Sequence, residues 1–302
     1  MPIFAFKEFD SFIGLNNRLS PQEINPNELT QADNIDITNE GYLKPRKKII
    51  KLSDGNYDNL YVFQNNLVAT KDGNLIYIDE NLNEFILKEN YSNLRVSYCE
   101  AYNKLILTNN REIGFIEGWT YHSFNPPDKE LRLPMPAGHL LDFFNGRLLV
   151  AQNNTLFFSD PMDIKQMKAP DNFIQFNSFI TNLGALKTGI YISIGNTLYF
   201  IEGQDISKSQ VLHLNIKGVL SFGFTHINLD FFGEKTPIKE YLNYQSITVE
   251  DAIFIPTVNG MFVGLERGKV ISLTNDRIKI DREYAYTTFV NRDQINQIIS
   301  MV

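Results

Sequence analysis

Three observations predict an all-β chain, a β-propeller of about six four-stranded blades within a range of five to seven. They are a strand-and-turn composition, a hairpin pattern that recurs five times, and a spacing near forty residues. The 302 residues include 23 Phe and 14 Tyr, with Asn-Gly and Asp-Gly pairs between apolar runs. Aromatic side chains favour strands and those dipeptides favour two-residue turns, so helix is expected to be scarce. The hairpin reads NNLVATKDGNLIYID at 65–79, NKLILTNNREIGFIE at 103–117, GRLLVAQNNTLFFSD at 146–160, GIYISIGNTLYFIEG at 189–203 and AIFIPTVNGMFVGLE at 252–266. The first apolar residues after the turns are Leu75, Ile113, Leu156, Leu198 and Met261, which lie 38, 43, 42 and 63 apart. Most hairpins have an apolar strand before them and another after, and four strands in about forty residues make a propeller blade.

Taken in order, residues 1–33 form an N-terminal arm. The stretch 14–33, GLNNRLSPQEINPNELTQAD, is polar, holds two prolines and has no periodicity, with at most a short helical turn at PQEI. The propeller spans 34–290. It opens with strands NIDIT, YLKPR and KIIKL in 34–52, which lack a complete blade and call for a strand from the other terminus to cover their edge. Blades follow near 60–88, 94–124, 137–176, 179–216 and 244–273, the last beginning at YQSITVE (244–250). The segment 219–233 is either a loop excursion or part of a further blade. The strands are near-continuously apolar, as expected when both faces of each sheet are covered. Residues 291–302 predict a short C-terminal helix: Asn291 caps it, Gln294 stands at the third position, and Ile295, Ile298, Ile299 and Val302 fall at i, i+3, i+4 and i+7.

With 43% apolar residues and a net charge of −7, the chain is expected to fold rather than stay disordered. No run reaches eighteen apolar residues, and MPIFAFKEFDSF lacks the layout of a signal peptide, so neither membrane insertion nor secretion is expected. One cysteine, Cys99, excludes an intramolecular disulfide, and it reads as a small buried hydrophobe. The four histidines, His122, His139, His213 and His226, show no zinc spacing, and no metal or cofactor is expected. The acidic balance argues against strong non-specific DNA binding.

Catalytic signals are weak. A propeller can host a glycosidase by aiming paired acids from its inner strands, which singles out Asp58, Glu100, Asp142 and Glu250. The plainer reading makes them turn formers and solvated rim residues. There is no G-x-S-x-G elbow and no phosphate loop. Trp119, Tyr121 and Phe124 are candidates for stacking on a sugar or base, but aromatics in such strands usually serve the core. His139 reads as structural. The basic run KPRKKIIK puts Lys44, Arg46 and Lys48 on one strand face, a candidate contact for phosphates or an acidic partner, or else a solvated edge that discourages strand addition.

Residues 9–46, FDSFIGLNNRLSPQEINPNELTQADNIDITNEGYLKPR, carry Gly14, Leu15, Asn16, Arg18, Pro21, Leu29, Ala32, Asn34, Asp36, Gly41, Leu43 and Arg46 in a characteristic order. Residues 143–167 carry Asn145, Gly146, Arg147, Leu148, Val150, Ala151, Ser159, Asp160, Pro161 and Asp163. Both stretches resemble β-propeller proteins of bacteriophage tails and head-to-tail junctions, as do, more weakly, 184–203 and 259–274. Lys47, where those proteins often have Gly, and Met167, where they often have an aromatic residue, depart from the pattern. The resemblance implies a structural virion protein with no catalytic site. It would be made in the host bacterial cytoplasm and form a homo-oligomeric ring in the tail (nozzle or tube) or neck, through which DNA passes. Its partners would be portal, adaptor or tail proteins. Assembly is then expected through the termini: Phe9, Phe12, Leu15, Asn16 and Arg18 on the arm, and Ile295, Ile298, Ile299 and Val302 on the terminal helix. The alternatives are a carbohydrate-active propeller, whether lectin or hydrolase, and a cytosolic interaction platform. A platform of the WD type should repeat G-H and W-D dipeptides, and here G-H occurs once, at Gly138–His139, and W-D not at all.

Overall fold

A computed structural model describes residues 12, 14–33, 35–37, 42–46, 51, 53–92, 94–124, 131–168, 171–229, 251–274, 276–292 and 295–301. The chain is all-β and is built from four-stranded antiparallel propeller blades, five of which are complete among the described residues. Blade 1 comprises Asp58–Phe63, Asn66–Lys71, Asn74–Ile78 and Glu84–Lys88; blade 2, Ser97–Ala101, Lys104–Thr108, Ile113–Glu117 and Thr120–Ser123. Blade 3 comprises Leu140–Phe144, Arg147–Gln152, Thr155–Phe158 and Phe173–Gln175; blade 4, Ile180–Leu186, Gly189–Ile194, Thr197–Glu202 and Gln210–Lys217. Blade 5 comprises Thr225–Asn228, Asp251–Thr257, Gly260–Gly264 and Val270–Ser272. Further strand pairs at Ile35–Ile37 with Leu43–Pro45, and at Tyr286–Arg292 with Ile295–Met301, accord with a count of about six.

Turn chemistry sets the hairpins. Between Phe63 and Asn66, Gln64 and Asn65 both take positive φ; between Phe144 and Arg147, Asn145 and Gly146 do the same. Two left-handed residues give the backbone twist that matches a right-handed strand pair, and Asn and Gly reach that region at least cost.

The apolar continuity of the strands has a direct cause in blade 2. Leu105 and Leu107 pack with Phe63, Val68 and Leu75 of blade 1, whereas Ile106, between them, packs with Leu141, Leu148 and Val150 of blade 3. Every position of Lys104–Thr108 after the first is therefore buried, and alternation has no solvent face to report.

Residues 51–216 with 266–268 form one compact unit that contains blades 1 to 4. Residues 1–50, 217–265 and 269–302 belong to a second, which contains blade 5. In the second unit Gly14–Leu15 pairs in parallel with Glu28–Leu29, and Ser20 to Glu23 close a hydrogen-bonded turn where PQEI predicted one.

Three expectations change. The C-terminal helix over 291–302 does not form: Tyr286–Arg292 and Ile295–Met301 make an antiparallel hairpin in register from Tyr286↔Met301 to Arg292↔Ile295. Isoleucine is β-branched and stiff at χ1, so a run rich in it suits a strand better than a helix, and Asn291 pairs with Asn296 instead of capping. Blade 5 takes its first strand from Thr225–Asn228, so part of the 219–233 segment is blade and not loop, while 244–250 lies outside the described residues. Finally, the stretch 14–33, expected as an extended arm or long loop, hydrogen-bonds within its own unit.

Candidate functional site

The inner-strand acids were the first candidates for chemistry, and two of them, Asp142 and Glu100, hydrogen-bond to neighbouring blades. The first strands of blades 1 to 4 run beside one another, joined by bonds from side chain to main chain. Tyr98 donates its hydroxyl to the Asn59 carbonyl at 2.7 Å, and the Val96 amide donates to Asn59 Oδ1 at 2.9 Å. The Leu141 amide donates to Ser97 Oγ at 2.9 Å. Asp142 continues the series, since its Oδ2 accepts the Ala185 amide of blade 4 at 2.7 Å and its Oδ1 accepts the Phe143 amide at 2.7 Å. Asp142 is only 9% exposed and sits mid-strand, so it is an inter-blade acceptor and not a rim acid. Glu100 accepts the Tyr61 hydroxyl at 3.0 Å. Asp58 is exposed at the edge of a bulged strand, and Glu250 lies outside the described residues.

Burial, reinforced by the Glu100 charge, pushes the Tyr61 hydroxyl above the usual tyrosine range. Burial, then the charges of Asp142 and Glu100, pushes the Cys99 thiol well up as well. Both groups stay neutral, so Cys99 has the inert character expected of a buried cysteine. His139 stacks on Phe179 at 4.4 Å, with Nε2 2.7 Å from the Ile180 carbonyl oxygen. Burial lowers its pKa, the carbonyl partner opposes that shift, and Arg95 adds to the lowering. A neutral ring donating Nε2–H to Ile180 follows.

The aromatic candidates do not converge. Trp119, in the turn after Glu117, packs on Tyr77 at 4.6 Å and Phe63 at 5.8 Å. Tyr121 faces Tyr91 and Lys88, and Phe124 lies against Phe115.

The expected interface residues of the N-terminal stretch have partners in their own unit. Asn16 is buried, gives its Nδ2 to Glu28 Oε2 at 2.9 Å and accepts the Arg18 amide. Asn17 pairs reciprocally with Lys279: its Nδ2 donates to the Lys279 carbonyl at 3.0 Å, and its Oδ1 accepts the Lys279 amide at 2.8 Å. Arg18 donates to Asn259 Oδ1 at 2.8 Å and lies 3.9 Å from Asp276. Phe12 and Leu15 are half-buried. Lys44 and Arg46 are exposed on or beside the Leu43–Pro45 strand. Phe9, Lys48 and Val302 lie outside the described residues, and Ile295, Ile298 and Ile299 lie in the terminal hairpin.

A concave site lies beside the second stretch of resemblance. A short ribbon pairs Arg132–Pro134 with Gln166–Lys168, and with the loop after Phe158 it encloses a recess of about 400 Å³. Ser159 Oγ accepts the Leu148 amide at 2.9 Å and donates to the Asp160 carbonyl at 3.0 Å, which fixes the start of the loop. Asp160 is held by Arg132 Nε on one oxygen and by the Lys168 amide and Asn172 Nδ2 on the other. Asp163 accepts Gln166 Nε2 at 2.6 Å and the Lys165 amide at 3.3 Å. Arg147 donates Nη1 to the Ser159 carbonyl at 2.7 Å and lies over the Phe158 ring. Arg147, Asp160, Pro161 and Asp163 were visible in the sequence motif. Arg132, Lys168 and Asn172 were not, because the ribbon joins residues more than thirty positions apart with no local signal. Among the described residues no cluster of metal-ligating side chains is found.

No protein-family profile matches the chain, and no curated protein does. Solved structures do. The extracellular domain of a putative hybrid two-component system from B. thetaiotaomicron is 11% identical, covering 78% of this chain and 30% of that one, with a TM-score of 0.49. The WD40 propeller domain of Doa1 is 10% identical over 83% of this chain and 84% of that one, TM-score 0.48. A gluconolactonase from Xanthomonas campestris is 11% identical over 78% and 80%, TM-score 0.47. The chain spans about a third of the length of the two B. thetaiotaomicron extracellular domains it matches. At such identities and TM-scores these likenesses carry no inference about chemistry.

Proposed function

We propose that this chain is a structural β-propeller of a bacteriophage tail or neck, contributing to a homo-oligomeric ring through which DNA passes. The supporting observation is what the shared residues do. Among the described residues, several polar side chains in both stretches that resemble the phage proteins bond to the frame. Asn16 bonds Glu28 and Arg18 bonds Asn259, while Arg147, Ser159, Asp160 and Asp163 lock the loop of blade 3. A pattern whose members build architecture is what a structural part needs, and Asp142, the most buried of the described acids open to a hydrolase reading, is bound to two main-chain amides. The reading therefore includes no catalysis.

The test is compositional. Particles purified on a density gradient from cells carrying the genome that encodes this chain should contain it in several copies per particle, by quantitative mass spectrometry. Its absence from particles would overturn the proposal. So would hydrolysis of a bacterial polysaccharide by the purified protein that is lost on changing Glu100 or Asp142, which would put the carbohydrate-active reading first.

A further inference from the structure

The recess of blade 3 has an imbalance in its donors and acceptors. Its carboxylates are occupied: both oxygens of Asp160 and both of Asp163 accept bonds from the surrounding frame. Its cations keep spare donors. Arg132 engages Asp160 through Nε, and its two Nη groups make no other bond among the described residues. Arg147 gives Nη1 to the Ser159 carbonyl, leaving Nη2 and Nε. Among the described residues the Lys168 ammonium meets Asp171, at 2.7 Å, with both side chains about half exposed. All three cations line the same cavity. Guanidinium forks with free N–H groups at the wall of a recess are matched by a planar oxyanion, which can accept two parallel bonds at once.

The surroundings narrow the class. Asp160, Asp163 and Asp171 stand on or beside the rim, and the chain as a whole carries a net charge of −7. A polyphosphate backbone would meet those acids along its length, whereas a single carboxylate, with one charge at one point, meets the fewest of them. Next to the recess, Pro161 and Met162 form an exposed apolar tip, with Met162 73% exposed. The tip is held rigid by the Met162 amide on the Gly146 carbonyl at 2.8 Å and by the Tyr102 hydroxyl on Met162 Sδ at 3.1 Å. A charged pocket beside a fixed apolar knob is the anatomy of a protein contact, in which apolar area gives affinity and the charge gives register.

We propose that this recess is a carboxylate socket that receives an Asp or Glu side chain of a protein partner between the Arg132 and Arg147 guanidinium groups. The socket does not depend on the virion reading, since it follows from the unpaired donors alone.

The probe is the peptide acetyl-Gly-Gly-Glu-Gly-Gly-amide, titrated into the full chain while the arginine Nε–H signals are followed by NMR. The signals are assigned with Arg132→Lys and Arg147→Lys. The Glu peptide should shift both signals saturably in the millimolar range, and the Gln counterpart should not. Lys168→Gln touches nothing in the frame but the exposed pair with Asp171, and it should weaken the peptide about two- to five-fold, the worth of one exposed charge. Arg132→Lys keeps a cation beside Asp160 but removes the fork, and should weaken the peptide by about ten-fold or more. Equal shifts with the Gln peptide, or no shift with either, would overturn the proposal. Saturation by a dodecathymidylate at lower concentration than the Glu peptide would also overturn it, in favour of a nucleic-acid site.

Discussion

Replacing Asp142 by Ala removes both acceptors from two amides at once, and the cost can be worked from where those amides lie. The Ala185 amide is buried and its bond to Asp142 Oδ2 is itself inaccessible to solvent. Leaving a buried donor without a partner costs about 1–3 kcal/mol. The Phe143 amide is only partly buried, so water can replace Oδ1 at little further cost. A loss of about 2–3 kcal/mol is expected for Asp142→Ala. Asp142→Asn keeps one acceptor oxygen and should lose less, about 1 kcal/mol. Urea unfolding read by fluorescence serves as the assay, because the chain has one tryptophan and Trp119 packs on Tyr77 and Phe63 at the junction of blades 1 and 2. With a urea m-value of about 1–3 kcal/mol/M, the Ala variant should lower the midpoint by roughly 1 M with m unchanged. Hydrogen exchange at the Ala185 amide should accelerate in the same variant. A midpoint within error of the parent, with the Ala185 amide still protected, would refute the assignment of Asp142 as an inter-blade acceptor.

Other residues give sharper or milder outcomes. Gly138→Ala would set a methyl against the Ala151 carbonyl oxygen and Val150 Cγ1, and should cost about 1–3 kcal/mol by thermal or urea unfolding; a neutral result would mean that the Thr108–Gly138 junction is looser than drawn. His139 has its folded pKa lowered by burial, so the unfolded chain takes up the proton first as pH falls. Stability should therefore decline as pH drops through about 6.5 and level off below the folded pKa, and His139→Gln should remove that slope from the pH dependence of the urea midpoint. Asn17→Ala breaks the reciprocal pair with Lys279 and should expose residues 14–33 to limited proteolysis while blades 1 to 4 stay intact; unchanged cleavage would show that Asn17 does not hold the segment.

The sequence was most readable where structure is local. The hairpins announced themselves through Asn-Gly and Asp-Gly, whose positive φ is a property of two adjacent residues, and four of the blades fall within a few residues of their expected ranges. The terminal segment was misread because Ile295, Ile298 and Ile299 satisfy a helical spacing that the pairing of Tyr286–Arg292 with Ile295–Met301 overrides. Blade 5 was entered too late because its first strand, Thr225–Asn228, is followed by 22 residues before Asp251, and proximity in sequence favoured 244–250. Asp142 looked like a rim acid since nothing within blade 3 announces the Ala185 amide it meets, 43 residues on. The recess was half legible: the S-D-P-x-D loop could be read, but Arg132 reaches it only through the pairing of Leu133 with Met167.

The reciprocal bond between Asn17 and the Lys279 backbone spans 262 positions, and that distance orders events during synthesis. Residues 51–216 hold blades 1 to 4 in one unbroken stretch, so they can pack while the ribosome is still translating. Asn17 must wait for residue 279, and until then the Gly14–Leu15 segment has neither the Arg277 carbonyl nor the Lys279 main chain to bind. A polar, proline-bearing sequence with no core of its own suits that wait, because it exposes little apolar surface for wrong partners. A premature stop between residues 218 and 277 would thus release a product with four finished blades and an unanchored leading segment, and a protease would find the damage far from the mutation, near residue 17.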